Sequence, residues 1–459
     1  MLRCARLLRP IQPLWSRFPH TGLNGSAHEP WFQSDPEENG MKERIAVYRE
    51  RAADLHWWDG RLNSVIEHYD GTGHPYRILR KLGFGGSSNV FLVQSTVDEE
   101  YLALKILNNN HSRGSGPEIE IMLSLFMDIV PPHRSTNPDV FDDGRTVSTT
   151  GISRAHMGRA YIRALRGIFC PDRVRGDDES RHVAFLLEPL GSSIVDLWRS
   201  FPQRKLPLEW TKRVVRQVLA GLSYLHVRGI SHGDVHPSNI MCDLGEHPQQ
   251  TLEEALARDP APAEQKDDEY LCSRRLVIPQ PETLENLNVK LVDFSSGHWL
   301  DIAADQRDHG HGEGVWPYRS PERMLELELG AANDIWGLGC SVFEMLTDKF
   351  LFGRMDPPNE NARWTAEHCH LMRMAMHTGL SFPEYMTQSP GGRKYFDEDG
   401  ELDFIRPKNP YRLDEALKLF VEFEQRDLEE TAAFLQRCLH LDPLKRATAD
   451  DLLMDPWLN

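Results

Sequence analysis

The chain has no apolar run approaching the roughly 20 residues that span a hydrocarbon core as a helix, which removes an integral membrane reading. Its 7 cysteines (Cys4, Cys170, Cys242, Cys272, Cys340, Cys369 and Cys438) are odd in number and never fall at the paired spacing of a zinc site. Free thiols in a reducing compartment are therefore expected. Positive charge is also short. Lys and Arg number 52 against 69 Asp and Glu, a net charge of -17, so nucleic-acid binding through counterion release is disfavoured and basic partners are favoured. With only 33 Gly and 30 Pro in 459 residues, collagen-like and low-complexity classes drop out. What remains is a globular chain, 40% hydrophobic and 26% charged, long enough for more than one structural unit.

Acids are missing from the first 28 residues, where Arg3, Arg6, Arg9 and Arg17 stand among Leu, Trp and Phe. This resembles a mitochondrial transit peptide, although the segment is low in Ser and Pro10, Pro13 and Pro19 would interrupt an amphipathic helix. Residues 1–40 are read as a disordered or targeting tail and 41–75 as an N-terminal extension. The texture then changes to short apolar strands expected over 76–82, 90–94 and 101–107, separated by Gly, Ser and acidic turns. A helix is expected from about Pro117. Periodicity is lost over 128–160, read as an insertion, and further strands are expected over 162–169 and 183–188. Five strands and one helix thus form a small first lobe, 76–190. The second, 191–458, is helical. Val214, Val215, Val218, Leu219, Leu222 and Leu225 follow helix spacing, and a second strong helix is expected over 333–346. The stretch 241–288 is rich in acids and proline and is read as a solvated acidic insertion.

Several motifs carry chemistry. Leu82, Gly83, Phe84, Gly85, Gly86, Ser87, Ser88, Asn89 and Val90 form a Gly-rich turn between two strands, either a simple hairpin or a place where backbone approaches a phosphate. Ala103 and Lys105 lie two apart in a strand and share a face, and Glu118 is spaced to pair with Lys105 from the following helix. His232, Gly233, Asp234, Val235, His236, Pro237, Ser238 and Asn239 follow the long amphipathic helix. An Asp five residues before an Asn can place a carboxylate at an attacking hydroxyl and an amide oxygen at a metal. Val292, Asp293, Phe294 and Ser295 follow an apolar strand, and Tyr318, Arg319, Ser320, Pro321 and Glu322 precede Asp334, Ile335, Trp336 and Gly339.

In this order the motifs resemble the eukaryotic protein kinases, over about residues 75–458. Within them the chain is most similar to the serine/arginine-rich-protein-specific kinases. The basis is the Arg80-Lys81-Leu82-Gly83-Phe84-Gly85 run, with Ser88 at the third glycine position. It also includes Glu188-Pro189-Leu190-Gly191, an insert after Asn239, and Pro443, Arg446, Ala447 and Thr448. The resemblance implies an α+β, bilobal fold with a small antiparallel-sheet N-lobe and a mainly helical C-lobe. It implies ATP and magnesium (Mg2+) as cofactors and transfer of the γ-phosphate to Ser/Thr hydroxyls. Lys105 would contact the phosphates with Glu118 orienting it, Asp234 would take the hydroxyl proton, and Asn239 and Asp293 would hold magnesium. Leu187 would lie behind the adenine, with the backbones of Glu188 and Leu190 bonding it. Glu322 with Arg446, and Asp334, would be structural braces. Substrates would be proteins with basic Arg/Ser-rich segments, met by a monomer in the cytoplasm or nucleus, or alternatively the mitochondrion, without nucleic acid or membrane. The competing readings are a pseudokinase scaffold and a small-molecule kinase.

Three departures stand out. Position 233 is Gly where most protein kinases have Arg, and no Ser, Thr or Tyr lies between Gly297 and Pro317, so an activation loop ordered without phosphorylation is expected. His236 replaces the usual Lys, and an imidazole of ordinary pKa about 6.5 carries little charge at pH 7. Ser295 replaces Gly after Asp-Phe, which restricts the backbone there.

Overall fold

The computed structural model describes residues 65–66, 75–84, 88–107, 117–128, 156–169, 182–260, 266–267, 270–271, 276–278, 280–300, 314–357, 364–402 and 412–459. Strand alternation organises the upper lobe. Its sheet holds β1 (Val65–Ile66), β2 (Tyr76–Phe84), β3 (Ser88–Ser95), β4 (Tyr101–Leu107), β5 (Leu165–Phe169) and β6 (Ala184–Leu187), in the spatial order β1-β2-β3-β4-β6-β5. All pairs are antiparallel. Successive β4 side chains point to opposite faces. Leu102, Leu104 and Ile106 therefore join Ile78, Phe91 and Val93 in one core, whereas Ala103 and Leu107 flank Lys105 on the other face. Helix α1 (Pro117–Met127) closes that second face with Ile121, Met122 and Leu125. The sheet has one strand more than the five expected. Val65 and Ile66, in the stretch read as an extension, pair with Arg77 and Tyr76.

The lower lobe is mainly helical. After α2 (Ile194–Ser200), whose N-cap Ser193 accepts from the Asp196 amide, α3 (Leu208–Val227) buries Val214, Val215, Val218, Leu219, Leu222 and Leu225. Two short ribbons frame the segment between them. One pairs β7 (Ile230–Ser231) with β10 (His298–Trp299), the other β8 (Ile240–Cys242) with β9 (Val289–Leu291). Helix α5 (Ala331–Thr347) is buried from Asn333 onward, as a helix through the middle of a core must be. Helices α6 (Ala366–Thr378) and α7 (Gln425–Cys438) complete the lobe around it.

The reading of 241–288 as a solvated loop is corrected. Pro248–Arg258 forms helix α4, started by proline at its first turn. Leu252, Ala255 and Leu256 recur at helix spacing; the first two are buried, while Glu253 and Glu254 face solvent. The acidic residues coat an outer face that hides an inner one. Cys242, Cys340, Cys369 and Cys438 are free and buried, and burial pushes the Cys242 thiol up to about 12, which makes it a poor nucleophile. The tail 1–40, most of the insertion 128–160, and Cys4, Cys170 and Cys272 lie outside the described residues.

Candidate active site

Between the lobes is a cavity of about 520 Å³. Of the residues singled out in the sequence, Leu82, Gly83, Ser88, Val90, Ala103, Lys105, Glu118, Leu187, Leu190, Asn239 and Asp293 line it. Phe84 ends β2, and Gly85, Gly86 and Ser87 lie outside the described residues. Asn89 is buried in β3 and is not part of the lining. Asp234 sits in an adjoining crevice with Tyr318 and Arg319.

The sheet register sets the upper wall. Val90 stands opposite Lys105 and Ala103 opposite Leu187, so a small side chain and a long cation project from one strand face toward the cavity. Lys105 Nζ donates to Glu118 Oε1 at 2.5 Å and to Asp293 Oδ1 at 2.9 Å. Burial alone would lower its pKa, but Asp293 and Glu118 outweigh that and hold the ammonium above its ordinary value. Burial likewise works against the Asp293 carboxylate. Lys105 and the Ser295 contacts overcome it and keep the carboxyl well below the usual range. Asp293 has φ +68°, a left-handed conformation that costs a non-glycine residue about 1–3 kcal/mol and persists where the surroundings fix it. The bonds from Lys105 and from the Ser295 amide, 3.3 Å to Oδ1, do so here.

The lower wall is the loop between β7 and β8. Asp334, fully buried, accepts from the amides of His232 (2.9 Å) and Gly233 (2.8 Å), from Ser231 Oγ (3.0 Å) and from His226 Nε2 (2.9 Å). Against the upward push of burial, the His226 contact and these donors bring its carboxyl down to about 2. Gly233 has φ +81°, and a Cβ there would lie 2.1 Å from the Ser296 carbonyl oxygen. A side chain fits there only if that carbonyl moves, so this backbone disfavours arginine. Arg323 Nη2 instead donates to the Gly233 carbonyl at 2.9 Å.

Asp234 faces His236, whose Nε2 lies 3.3 Å from Oδ2 and whose ring stacks on Tyr318 at 5.3 Å and 27°. Burial would raise the Asp234 carboxyl, but the charge and hydrogen bond of His236, with His232 behind it, leave it below its ordinary value. It is a carboxylate at neutral pH. Asn239 donates Nδ2 to the Asp234 carbonyl at 3.0 Å, so its oxygen is the end offered to a cation. Lower down, Arg446 grips both oxygens of Glu322 at 2.7 and 3.0 Å, with exposures of 0% and 1%.

The hinge differs in detail from the expectation. The Glu188 amide donates to the Ala164 carbonyl at 3.1 Å, and its carboxylate accepts from the Ala164 amide and from Lys290. Its carbonyl already accepts from Arg163 Nε at 3.1 Å, so only the remaining lone pair is open to a base. Arg163, Arg323 and Gln280, which bonds Ser192, were not found from the sequence; their partners lie 25, 90 and 88 residues away, beyond any local spacing. Among the described residues no group of three His, Cys, Asp or Glu forms a metal cage.

Residues 172–458 match the family model described as protein kinase domain. The chain is 26% identical over 400 residues to the serine/threonine-protein kinase SRPK of Physarum polycephalum, covering 83% of this chain and 85% of that one. It is 22% identical over 522 residues to protein kinase dsk1 of Schizosaccharomyces pombe, covering 95% and 89%. A solved kinase-domain crystal structure is similar in fold, with TM-score 0.54 and 20% identity over 84% of this chain and 95% of that one. The family model begins after β5, so the placement of Lys105 and Glu118 rests on the geometry above.

Proposed function

The chain belongs to the protein kinase family, and from that premise we propose that Lys105, Glu118, Asp234, Asn239 and Asp293 work as one phosphoryl-transfer site acting on basic, Arg/Ser-rich protein segments. ATP-dependent phosphorylation of Ser or Thr is the activity the match carries. The observation that carries the site assignment is Lys105, drawn to Glu118 of one lobe and Asp293 of the other across a single cavity. Lys105 presents positive charge to the α- and β-phosphates and Glu118 holds it extended. Asp234 orients the attacking hydroxyl and accepts its proton. Positioning and charge neutralisation are what this reaction needs, since its transition state asks little covalent help.

The donor set fits magnesium. One carboxylate and one amide oxygen suit a hard cation that brings water and phosphate as its other ligands, in keeping with the lack of a protein cage among the described residues. Asp293 and Asn239 would hold it, and when bound it supplies charge neutralisation at the phosphates. The pseudokinase alternative rests on His236 and Ser295. Both are accommodated: Ser295 keeps its amide on Asp293, and His236 keeps contact with Asp234. The buried Glu322–Arg446 pair and the Asp334 brace favour a protein over a small-molecule kinase.

The net charge of -17 and the likeness to the SRPK of Physarum polycephalum support the substrate class, because opposite charge steers encounter and register. Labelled ATP with an Arg-Ser repeat peptide and a Glu-Ser repeat of equal length tests it. Strong labelling of the first alone is expected. Equal labelling ends the substrate assignment, bound ATP without transfer favours the scaffold, and labelling of a small alcohol or amine alone favours the metabolite kinase.

A further inference from the structure

The insertion between β8 and β9 leaves the C-lobe and returns to it, yet α4 is fastened to the N-lobe. Leu252 packs against Leu92 and Tyr101. Gln249 bonds the edge of β4 twice, accepting from the Tyr101 amide at 2.7 Å and donating to its carbonyl at 3.3 Å. Beyond the helix, Arg80 of β2, only 2% exposed, donates to the Asp259 carboxylate at 2.9 Å and also to the Asp259 carbonyl. A guanidinium so buried needs such partners to offset its lost hydration.

Further along, the insertion passes the mouth of the cleft. Leu276 and Ile278 are half-buried and pack on the cluster that also takes Leu79 and Leu82, while Val277 between them is 74% exposed. Val277 also borders the cavity, so all three residues of this stretch face the cleft. Gln280 then accepts from Ser192 Oγ at 2.7 Å, two residues past Leu190. Leu276, Ile278 and Gln280 all line the cavity that Lys105 and Asp293 line. A volume of about 520 Å³ is left, within the range of small-molecule sites, so the segment walls the cleft without filling it.

We infer that the insertion supplies the outer wall of the nucleotide cleft, and that Ile278 and Gln280 set nucleotide affinity and residence time. The inference rests on the kinase reading. Leu82 on the roof and Ser192 on the floor meet the same short segment, so a nucleotide held in the cavity lies against it and its contacts there add to affinity.

Titration with a fluorescent ATP analogue, and stopped-flow release of it, test this on the full chain. Loss of one neutral hydrogen bond in Gln280→Ala is expected to weaken binding about fivefold, with release faster to match and the change in KM rather than kcat. The Ile278→Ala/Gln280→Ala double variant is expected to be weaker still, whereas Glu253→Ala, on the outer face of α4, binds as the parent does. Affinity within twofold of the parent in Gln280→Ala overturns the inference, whether or not the double variant folds. Weakening of the same size in Glu253→Ala also overturns it, because the effect would then not belong to the wall. A parent chain that binds no analogue overturns the kinase reading instead, so the two failures are distinct.

Discussion

The cleft and the base of the C-lobe each pair a cation with acid, two carboxylates in the cleft and one at the base, and they do so in opposite ways. Lys105 touches Glu118 and Asp293, whose side chains are 10% and 40% exposed, and the contact bridges two lobes. Arg446 grips Glu322 through two bonds in a dry setting, within one lobe, and lies over Trp336 at 5.1 Å. An ammonium is a point charge that can exchange partners, whereas a guanidinium fork locked on a carboxylate cannot do so cheaply. The pair with an edge open to solvent can surrender a bond to phosphate; the sealed pair holds the fold. Access to solvent, rather than charge, separates the chemical group from the structural one.

The comparison breaks most visibly under substitution. Glu322→Ala leaves Arg446 buried without its carboxylate, held only by the His440 and Ala332 carbonyls, and is expected to cost about 3–5 kcal/mol of stability. Lys105→Met is expected to lower the melting temperature less while removing most turnover. Thermal melts beside rate measurements decide it, and a larger melting shift for Lys105→Met reverses the assignment.

Acid should sharpen the same contrast. His370 and His377 on α6 are buried, and burial pushes both down to about 3, with Arg373 adding to the effect. Their pKa is depressed in the fold, so between about 6.5 and 3 the unfolded chain binds protons that the native chain refuses. Stability is therefore whole above pH 6.5 and falls as pH drops through that window, by about 2 kcal/mol per histidine between pH 6.5 and 5. Asp334 adds a later loss, as pH falls from its ordinary 3.8 toward about 2. Denaturant titrations at pH 7 and pH 5 check this, and equal stability at both contradicts it.

A smaller effect is expected from His236→Lys. A permanent cation beside Asp234 should raise turnover at pH 8 a few-fold, whereas an unchanged or lower rate assigns His236 to its stacking on Tyr318. No effect at all is expected from phosphatase treatment of the pure protein. The backbone at position 233 disfavours a side chain and Arg323 braces the loop from the other side, so a large loss of activity contradicts the account.

Much of this was legible in the sequence because the signals are local. The strand 101–107, the start of α1 at Pro117 and the long helix from Leu208 stand as expected, since each carries its own periodicity or breaker. The Lys105–Glu118 pairing was suggested by spacing, the Glu322–Arg446 pair and the Asp334 brace by the family resemblance, and all three contacts are present in the geometry. Helix α4 was hidden by its composition, because the acids on its outer face outweighed Leu252, Ala255 and Leu256 at helix spacing, and the surface it packs on belongs to the other lobe. Strand β1 spans two residues, too few for any period to show. Why position 233 favours glycine depends on Ser296, which the sequence places far away and the fold brings within van der Waals overlap.

The most direct test of the site is Asp234→Asn, with nucleotide affinity and phosphotransfer measured on one preparation. The isosteric amide cannot take the hydroxyl proton, so turnover is expected to fall about 10²–10⁴-fold while the ATP analogue binds as tightly as to the parent. Transfer at the parental rate, or loss of nucleotide binding together with turnover, would contradict the placement of Lys105, Asp234 and Asp293 around a single nucleotide.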